Sequence, residues 1–234
     1  MNTDLRHVDV LRKGAWFRSL APDLQQRLLV GGVVRGYAVG ETLFRRGDAA
    51  DGLYAVIHGA IRIKSTNMAG KEAILAHIDS PGWFGEIGLF DRLPRTHDAV
   101  SDTESTLLHV PTRTLDRMLQ AQPDYWRDFG RLLSQKMRLS FLLIESMHLL
   151  SPSACLARRL LAMSEGYGER QRSRCHTLKV SQEQLAMMMG ISRQTINYLL
   201  RGFSRQDIVR VTHKELEIVD FAALEGIAEL EHSL

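Results

Sequence analysis

Val180-Ser-Gln-Glu-Gln-Leu-Ala-Met-Met-Met-Gly-Ile-Ser-Arg-Gln-Thr-Ile-Asn-Tyr-Leu-Leu200 decides the reading of this chain. It spells two short helices around the turn Gly190-Ile191-Ser192. Ser181 can cap the first helix while Gln184, three residues on, reaches back to close a capping box. Leu185, Ala186 and Met189 then fall on one inward face, and the small Ala186 lets a second helix cross closely. Gly190 can take the left-handed conformation that ends a helix cheaply, and Ser192 can cap the next one. In that second helix Ile196, Leu199 and Leu200 form the buried stripe. Arg193, Gln194, Asn197, Tyr198 and Arg201 project from the opposite face, and side chains at the amino end of such a helix reach base edges in a major groove. A solvated helical hairpin would share the period but has no need of both caps, the small residue and the polar face at these offsets. Ser181, Gln182 and Ser192 complete the expected DNA-facing set.

The charge distribution agrees with that placement. The chain of 234 residues has a net charge of only +3, yet residues 152–214 hold 11 Lys and Arg against 4 Asp and Glu. Residues 215–234 hold six acids and no Lys or Arg. A field that attracts phosphates is therefore local to the helix-turn-helix, and the acidic tail is expected to pack away from a duplex. No apolar run reaches the length of a membrane span, and the amino terminus lacks a basic-then-apolar leader, so the expected location is the cytoplasm. Two cysteines, Cys155 and Cys175, stand far apart without a CxxC partner. They offer neither a disulfide framework nor a zinc or iron–sulfur ligand set, and free thiols are expected.

The rest of the chain divides by character. A helix is expected to begin near Pro22. Across residues 30–115, short Val, Ile, Leu and Tyr stretches are broken by glycines, which suggests a β-barrel or β-roll. Tyr54 to Lys64 alternates as a hairpin turning at His58-Gly59 would. Asp124 to Leu150 predicts one long helix with a heptad seam whose rows are Trp126, Leu133, Ser140 and Met147, and Phe129, Lys136, Leu143 and Leu150. A sideways set, Leu132, Leu139 and Leu142, could pack on the roll. Ser151-Pro152-Ser153 ends that helix and starts the next. Asp207–Thr212 and Glu215–Asp220 alternate like a two-stranded wing, and a terminal helix is expected from Ala222 to Glu231. The fold class is α+β, divided as 1–123, 124–150 and 151–234.

One stretch in the β-rich part carries ligand chemistry. In Pro81-Gly-Trp-Phe-Gly-Glu-Ile-Gly-Leu-Phe90, followed by Arg95-Thr96, backbone amides around Gly85 can meet an anion, Glu86 can accept from ribose hydroxyls, and Arg95 can fork a phosphate. Phe84-Gly85-Glu86-Ile87-Gly88-Leu89, a gap, then Arg95-Thr96 resembles the phosphate-binding cassette of cyclic-nucleotide-binding domains. With the glycine-punctuated strands, the long helix and the winged helix-turn-helix, the entire chain resembles the superfamily of the bacterial cyclic AMP receptor protein and the fumarate and nitrate reduction regulator. The resemblance implies an effector set of Gly85, Glu86, Ile87, Arg95, Thr96 and Ser140, with a cyclic nucleotide as the suspected effector. It further implies a homodimer on a palindromic double-stranded operator, with RNA polymerase as a partner. The chain departs from the family's pattern at His97, where alanine is usual, at Asp98, and at Phe141, which replaces a second helix hydroxyl. In the reading helix the family's usual Arg-Glu pair is Arg193-Gln194, and the further Arg is Tyr198.

Other classes are excluded on chemistry. The N-terminal cysteine group of an iron–sulfur oxygen sensor is missing, nine scattered histidines suggest no haem site, and no His-x-His pair supports a cupin-type metalloenzyme. No nucleophile and base arrangement suggests an enzyme. Two alternatives remain: a nucleotide-independent regulator whose Glu86 and Arg95 form a structural ion pair, and a nucleotide-binding module without DNA function.

Overall fold

Leu53, Ala55 and Ile57 point one way from strand β3 (Gly52–His58) and Tyr54 and Val56 the other, and both faces are buried. That double burial places β3 at the centre of the amino-terminal unit. In the computed structural model, which describes residues 5–170, 174–212 and 215–229, eight strands form two four-stranded antiparallel sheets. The first runs β1 (Val33–Tyr37), β8 (Ser105–Pro111), β3, β6 (Trp83–Phe84). The second runs β2 (Thr42–Phe44), β7 (Asp98–Ser101), β4 (Ala60–Thr66), β5 (Glu72–Asp79). Phe44, Tyr54, Val56, Ile61, Phe84, Ala99 and Leu107 fill the space between them. Helices α1 (Leu5–Leu11), α2 (Ala15–Ser19) and α3 (Pro22–Gly31) cover the outer face of the first sheet, where Trp16 and Phe17 pack on Trp83. Pro22 opens α3 as expected; α1 and α2 are too short to show a period in the sequence.

The expected hairpin over Tyr54–Lys64 does not form. The two runs of residues are strands, but β3 pairs with β8 and β6 while β4 pairs with β5 and β7. The chain crosses between sheets at Gly59, whose φ is +83° and where a Cβ would stand 2.2 Å from Ser105 Oγ. Ala60 N, beyond the crossing, donates to Thr103 Oγ1 at 3.0 Å and Ser105 Oγ at 3.2 Å. Alternation marks strands but does not name their partners.

After helices α4 (Ile87–Asp91) and α5 (Thr112–Ala121) comes α6 (Tyr125–Leu149). Its first half belongs to the roll. Phe129 is 0% exposed and Leu132 1%, both in the core beneath Trp16. In the second expected seam row Phe129 is instead buried in its own domain; Lys136 turns to the roll, Leu143 lines a cavity there, as Met137, Ser140 and Ile144 do, and Leu150 is half-buried where the next helix starts. In the first row Trp126 packs on Phe90. A row with heptad-like spacing 4-3-4-3 runs Trp126, Gly130, Leu133, Met137, Ser140, Ile144, Met147, with Phe141 beside it. Met137, Phe141, Ile144 and Met147 are all more than half exposed. Of the sideways set, Leu132 packs on the roll and Leu139 is half-buried, while Leu142 is exposed.

Ser151 caps α7 (Pro152–Ser164), its side chain accepting from Ala154 N. Next come α8 (Gln182–Met189), α9 (Arg193–Arg205), the wing strands β10 (Val209–Val211) and β11 (Leu216–Ile218), and α10 (Phe221–Glu229). A third strand, β9 (Thr177–Leu178), pairs with β11, so the wing sheet has three strands where two were expected. The wing tip at 213–214 and the helix end expected at 230–231 lie outside the described residues.

Candidate effector pocket and nucleic-acid interface

The cassette residues meet where β6 runs into α4. Gly85 has φ +97°, and a Cβ there would lie 2.9 Å from both Arg95 Nη1 and Gly52 O, so the position takes no side chain. Arg95 lies beneath it with its side chain 5% exposed. Nη1 donates to Gly85 O at 3.0 Å, and Nη2 donates to Gly52 O and to Asp51 Oδ1, each at 2.7 Å. The guanidinium also stacks over the Phe44 ring at 4.2 Å. Asp51 is held in turn by Tyr54, whose hydroxyl donates to Oδ2 at 2.5 Å. Burial works to raise the Asp51 pKa, but the bonds from Tyr54 and Arg95 and the guanidinium charge outweigh it and hold the carboxyl below its ordinary value.

Glu86 is buried and meets Lys136 of α6, whose Nζ donates to Glu86 Oε2 at 2.7 Å and to Trp83 O at 2.6 Å. Glu86 and Arg95 thus do not pair with each other; each has its own partner. Ser140, expected to face an effector base, donates its hydroxyl to Lys136 O at 2.9 Å. Thr96 is exposed and bonded to the His97 ring at 2.9 Å, and Asp98 accepts from Arg46 N at 2.8 Å. Burial, then the Arg46 charge, lower the His97 pKa.

Between the cassette, β5 and α6 lies a cavity of about 560 Å3, within the size range of small-molecule sites. Gly85, Glu86, Ile87, Arg95, Thr96 and Ser140 all line it. So do groups that the sequence reading left out or placed elsewhere: Lys136, which it assigned to the dimer seam, and Glu169, whose Oε2 accepts from Trp16 N at 3.2 Å and whose pKa burial raises. A lysine in an apolar seam was the available signal for Lys136. Asp51 gave none, because nothing local links it to a residue 44 positions away.

In the C-terminal unit the local expectations hold closely. Ser181 accepts from Gln184 N at 3.2 Å while Ser181 N donates to Gln184 Oε1 at 2.8 Å, completing the capping box. Gly190 is left-handed at φ +67°, and Ser192 accepts from Thr195 N at 3.0 Å. Ile196, Leu200 and Phe203 are buried, with Leu199 half-buried; in α8 Met188 is buried in place of Met189. Arg193, Gln194 and Arg201 are exposed, and Tyr198 is 76% exposed. Asn197 is half-buried and donates to Gln182 Oε1 at 2.9 Å, tying α9 to the first turn of α8. Ion pairs join Arg174 to Glu165 and Glu225, and Arg210 to Glu217. Among the described residues none engages Arg193 or Arg201.

The two units touch through β5. Ile74 is buried in the same cluster as Leu156, Leu185 and Met188, and Arg159 donates to Leu75 O and Met188 O. Gln184 Nε2 donates to Asp102, whose carboxylate also meets Arg62 at 2.8 Å and His77 at 2.9 Å.

The chain matches the cyclic nucleotide-binding domain model over residues 34–122 and the Crp-like helix-turn-helix domain model over residues 156–227. It belongs to the Crp/Fnr superfamily of transcription regulators. Among curated members, the CRP-like cAMP-activated global transcriptional regulator of Mycobacterium tuberculosis is 26% identical over 182 residues, 77% of this chain and 81% of its own. The cyclic AMP receptor protein of Thermus thermophilus is 27% identical over 213 residues, 91% and 95% of the two chains. Among solved structures, FixK2 of Bradyrhizobium japonicum superposes with a TM-score of 0.74 at 15% identity, covering 84% of this chain and 96% of that one. The c-di-GMP-responsive regulator CLP of Xanthomonas campestris gives 0.67 at 22%, covering 86% and 100%. Crp/Fnr members at this distance share the order of parts and the fold. The relatives are regulators rather than enzymes. No helix among the described residues is long and apolar enough to cross a membrane, and no three His, Cys, Asp or Glu among them cluster as a metal site.

Proposed function

We propose that this chain is a homodimeric, sequence-specific DNA-binding regulator whose affinity for a palindromic operator is set by a small effector in the roll. The observation that carries it is the exposed row of Arg193, Gln194, Tyr198 and Arg201 on a helix capped by Ser192, with no ion-pair partner for either arginine among the described residues. Unpaired guanidinium groups on a rigid helix are what base-edge and phosphate contacts require. Gln194 favours adenine where the family's usual residue would contact another base, so the operator should differ from that of the cyclic AMP receptor protein. Ser181, Gln182 and Ser192 place backbone amides and hydroxyls for the flanking phosphates. Trp126, Leu133 and Met147, joined by Met137 and Ile144, supply the dimer seam in this reading. A two-fold dimer would set its reading helices one DNA turn apart, about 34 Å. RNA polymerase is the downstream partner in the same reading. The test is selection from random duplexes with the full chain: enrichment of inverted repeats with half-sites about 10 base pairs apart supports it, and failure to enrich any sequence overturns it.

A further inference from the structure

We infer that the cavity between the roll and α6 takes an uncharged, largely apolar ligand with one head that both donates and accepts hydrogen bonds, an amide or hydroxy-carbonyl group, rather than an anion. This rests on the effector half of the reading above and names the chemical class.

The charges decide it. Arg95 holds Asp51 and two backbone carbonyls and lies under Gly85 against Phe44. A phosphate that drew it away would take the guanidinium from Gly52 O and Gly85 O and leave Asp51 with Tyr54 and His109. The other cation on the cavity wall, Lys136, is already matched by Glu86 and Trp83 O. Glu169 adds a buried acid on the same wall. An incoming anion therefore meets two cations that each already have a carboxylate partner, Arg95 keeping only its buried Nε without a hydrogen bond, and faces carboxyl groups it must not approach. A neutral head suits the Glu86–Lys136 pair, because it can donate to the carboxylate and accept from the ammonium without upsetting their balance. The rest of the wall is hydrocarbon: Ile63 and Ile78 from the strands, Leu132, Leu139 and Leu143 from α6. Ser140, the hydroxyl that could greet a base, is bonded back to its own helix. His97 and Phe141, where the family's usual pattern has alanine and a hydroxyl, add an imidazole and a phenyl ring to the same wall.

The experiment uses the full chain and the neutral fluorophore N-phenyl-1-naphthylamine, with N-butyl decanamide, decanoate and 3′,5′-cyclic AMP as competitors. Saturable binding of one dye per chain is expected, with the amide displacing it roughly tenfold better than decanoate and cyclic AMP at millimolar concentration having no effect. Ala76→Phe, which fills the cavity, should weaken the dye by roughly tenfold or more while the thermal midpoint holds. Should that variant fold poorly, Ala76→Leu gives a smaller loss in the same direction. Displacement by cyclic AMP, decanoate matching the amide, or dye binding unchanged in both filled variants would each overturn the assignment. Operator selection, run separately, keeps the two readings apart. An operator without dye binding ends only the ligand class, and dye binding without an operator ends the regulator reading.

Discussion

The two halves of this molecule use arginine in opposite ways. In the roll, Arg95 is buried and has a carboxylate, two carbonyls and an aromatic ring as neighbours; on α9, Arg193 and Arg201 stand in solvent with no carboxylate of the described residues against them. A guanidinium whose terminal nitrogens are both bonded inside the fold, as those of Arg95 are, holds structure together, and one that stands in solvent is available to a partner. The same contrast runs around α6. Phe129, Leu132 and Lys136 serve the roll, while Met137, Ile144 and Met147 are more than half exposed, Met137 and Ile144 at the edge of the cavity.

The contrast makes a set of measurements that would break it or sharpen it. The largest effect belongs to the outward face of α6. Ile144→Asp would place a carboxylate against its twin at the seam, costing several kcal/mol of association, and sedimentation should show monomers that no longer hold a full operator. An intact dimer would mean that the seam lies elsewhere. Leu143→Asp, the neighbouring change on the roll-facing row, should instead lower the unfolding midpoint. Next, Arg95→Met should cost roughly 2–4 kcal/mol of folding stability by denaturant titration, somewhat less than a fully buried pair because Asp51 reaches solvent. A change within about 0.5 kcal/mol would show that Arg95 is not a structural clamp. Arg193→Ala reverses the pattern, with stability unchanged within about 0.5 kcal/mol and a loss of ~1–3 kcal/mol on the selected operator but little on random DNA. Equal losses on both duplexes would remove its base-reading role.

The smallest effect is in pH. Asp102, like Asp51, has its pKa lowered: burial opposes this, and the bonds and charges from His77, Arg62 and Gln184 outweigh burial. A lowered carboxyl pKa contributes stability that is present above the unfolded value and lost as pH falls through the folded one. Stability should therefore decline with acid below about pH 4, the ordinary carboxyl range, and Asp102→Asn should flatten that decline. An identical acid limb in the variant would show that the Asp102 cluster adds nothing.

What could be read from the sequence follows the distance between cause and effect. The Ser181–Gln184 box, Gly190 and the Ser192 cap are local chemistry, settled within three or four residues, and all are found as read. The cassette was visible as a motif, and its residues do line one cavity. Where their charges go was not visible, since Asp51 and Lys136 come from distant segments and no periodicity joins them to Arg95 or Glu86. The Tyr54–Lys64 pairing failed for the same reason: alternation is local, and the sheet a strand joins is not. On α6 the long helix was plain, but the exposed row lies only one residue from the expected one, which shows how narrow the difference is between the face a helix turns outward and the face that meets its own roll.

Ile74 belongs to a strand of the roll yet lies in the core of the C-terminal unit, among Leu156, Leu185 and Met188. If operator binding swings α8 away from β5, water must wet that isoleucine and the leucines around it. Wetting apolar surface raises heat capacity, opposite in sign to the usual change on forming an interface. Calorimetry over a range of temperatures would then find the heat-capacity change of operator binding less negative than the buried contact alone demands. Because apolar association weakens on cooling, the parted arrangement gains ground in the cold, and one side chain lent across a boundary makes the regulator's affinity a function of temperature.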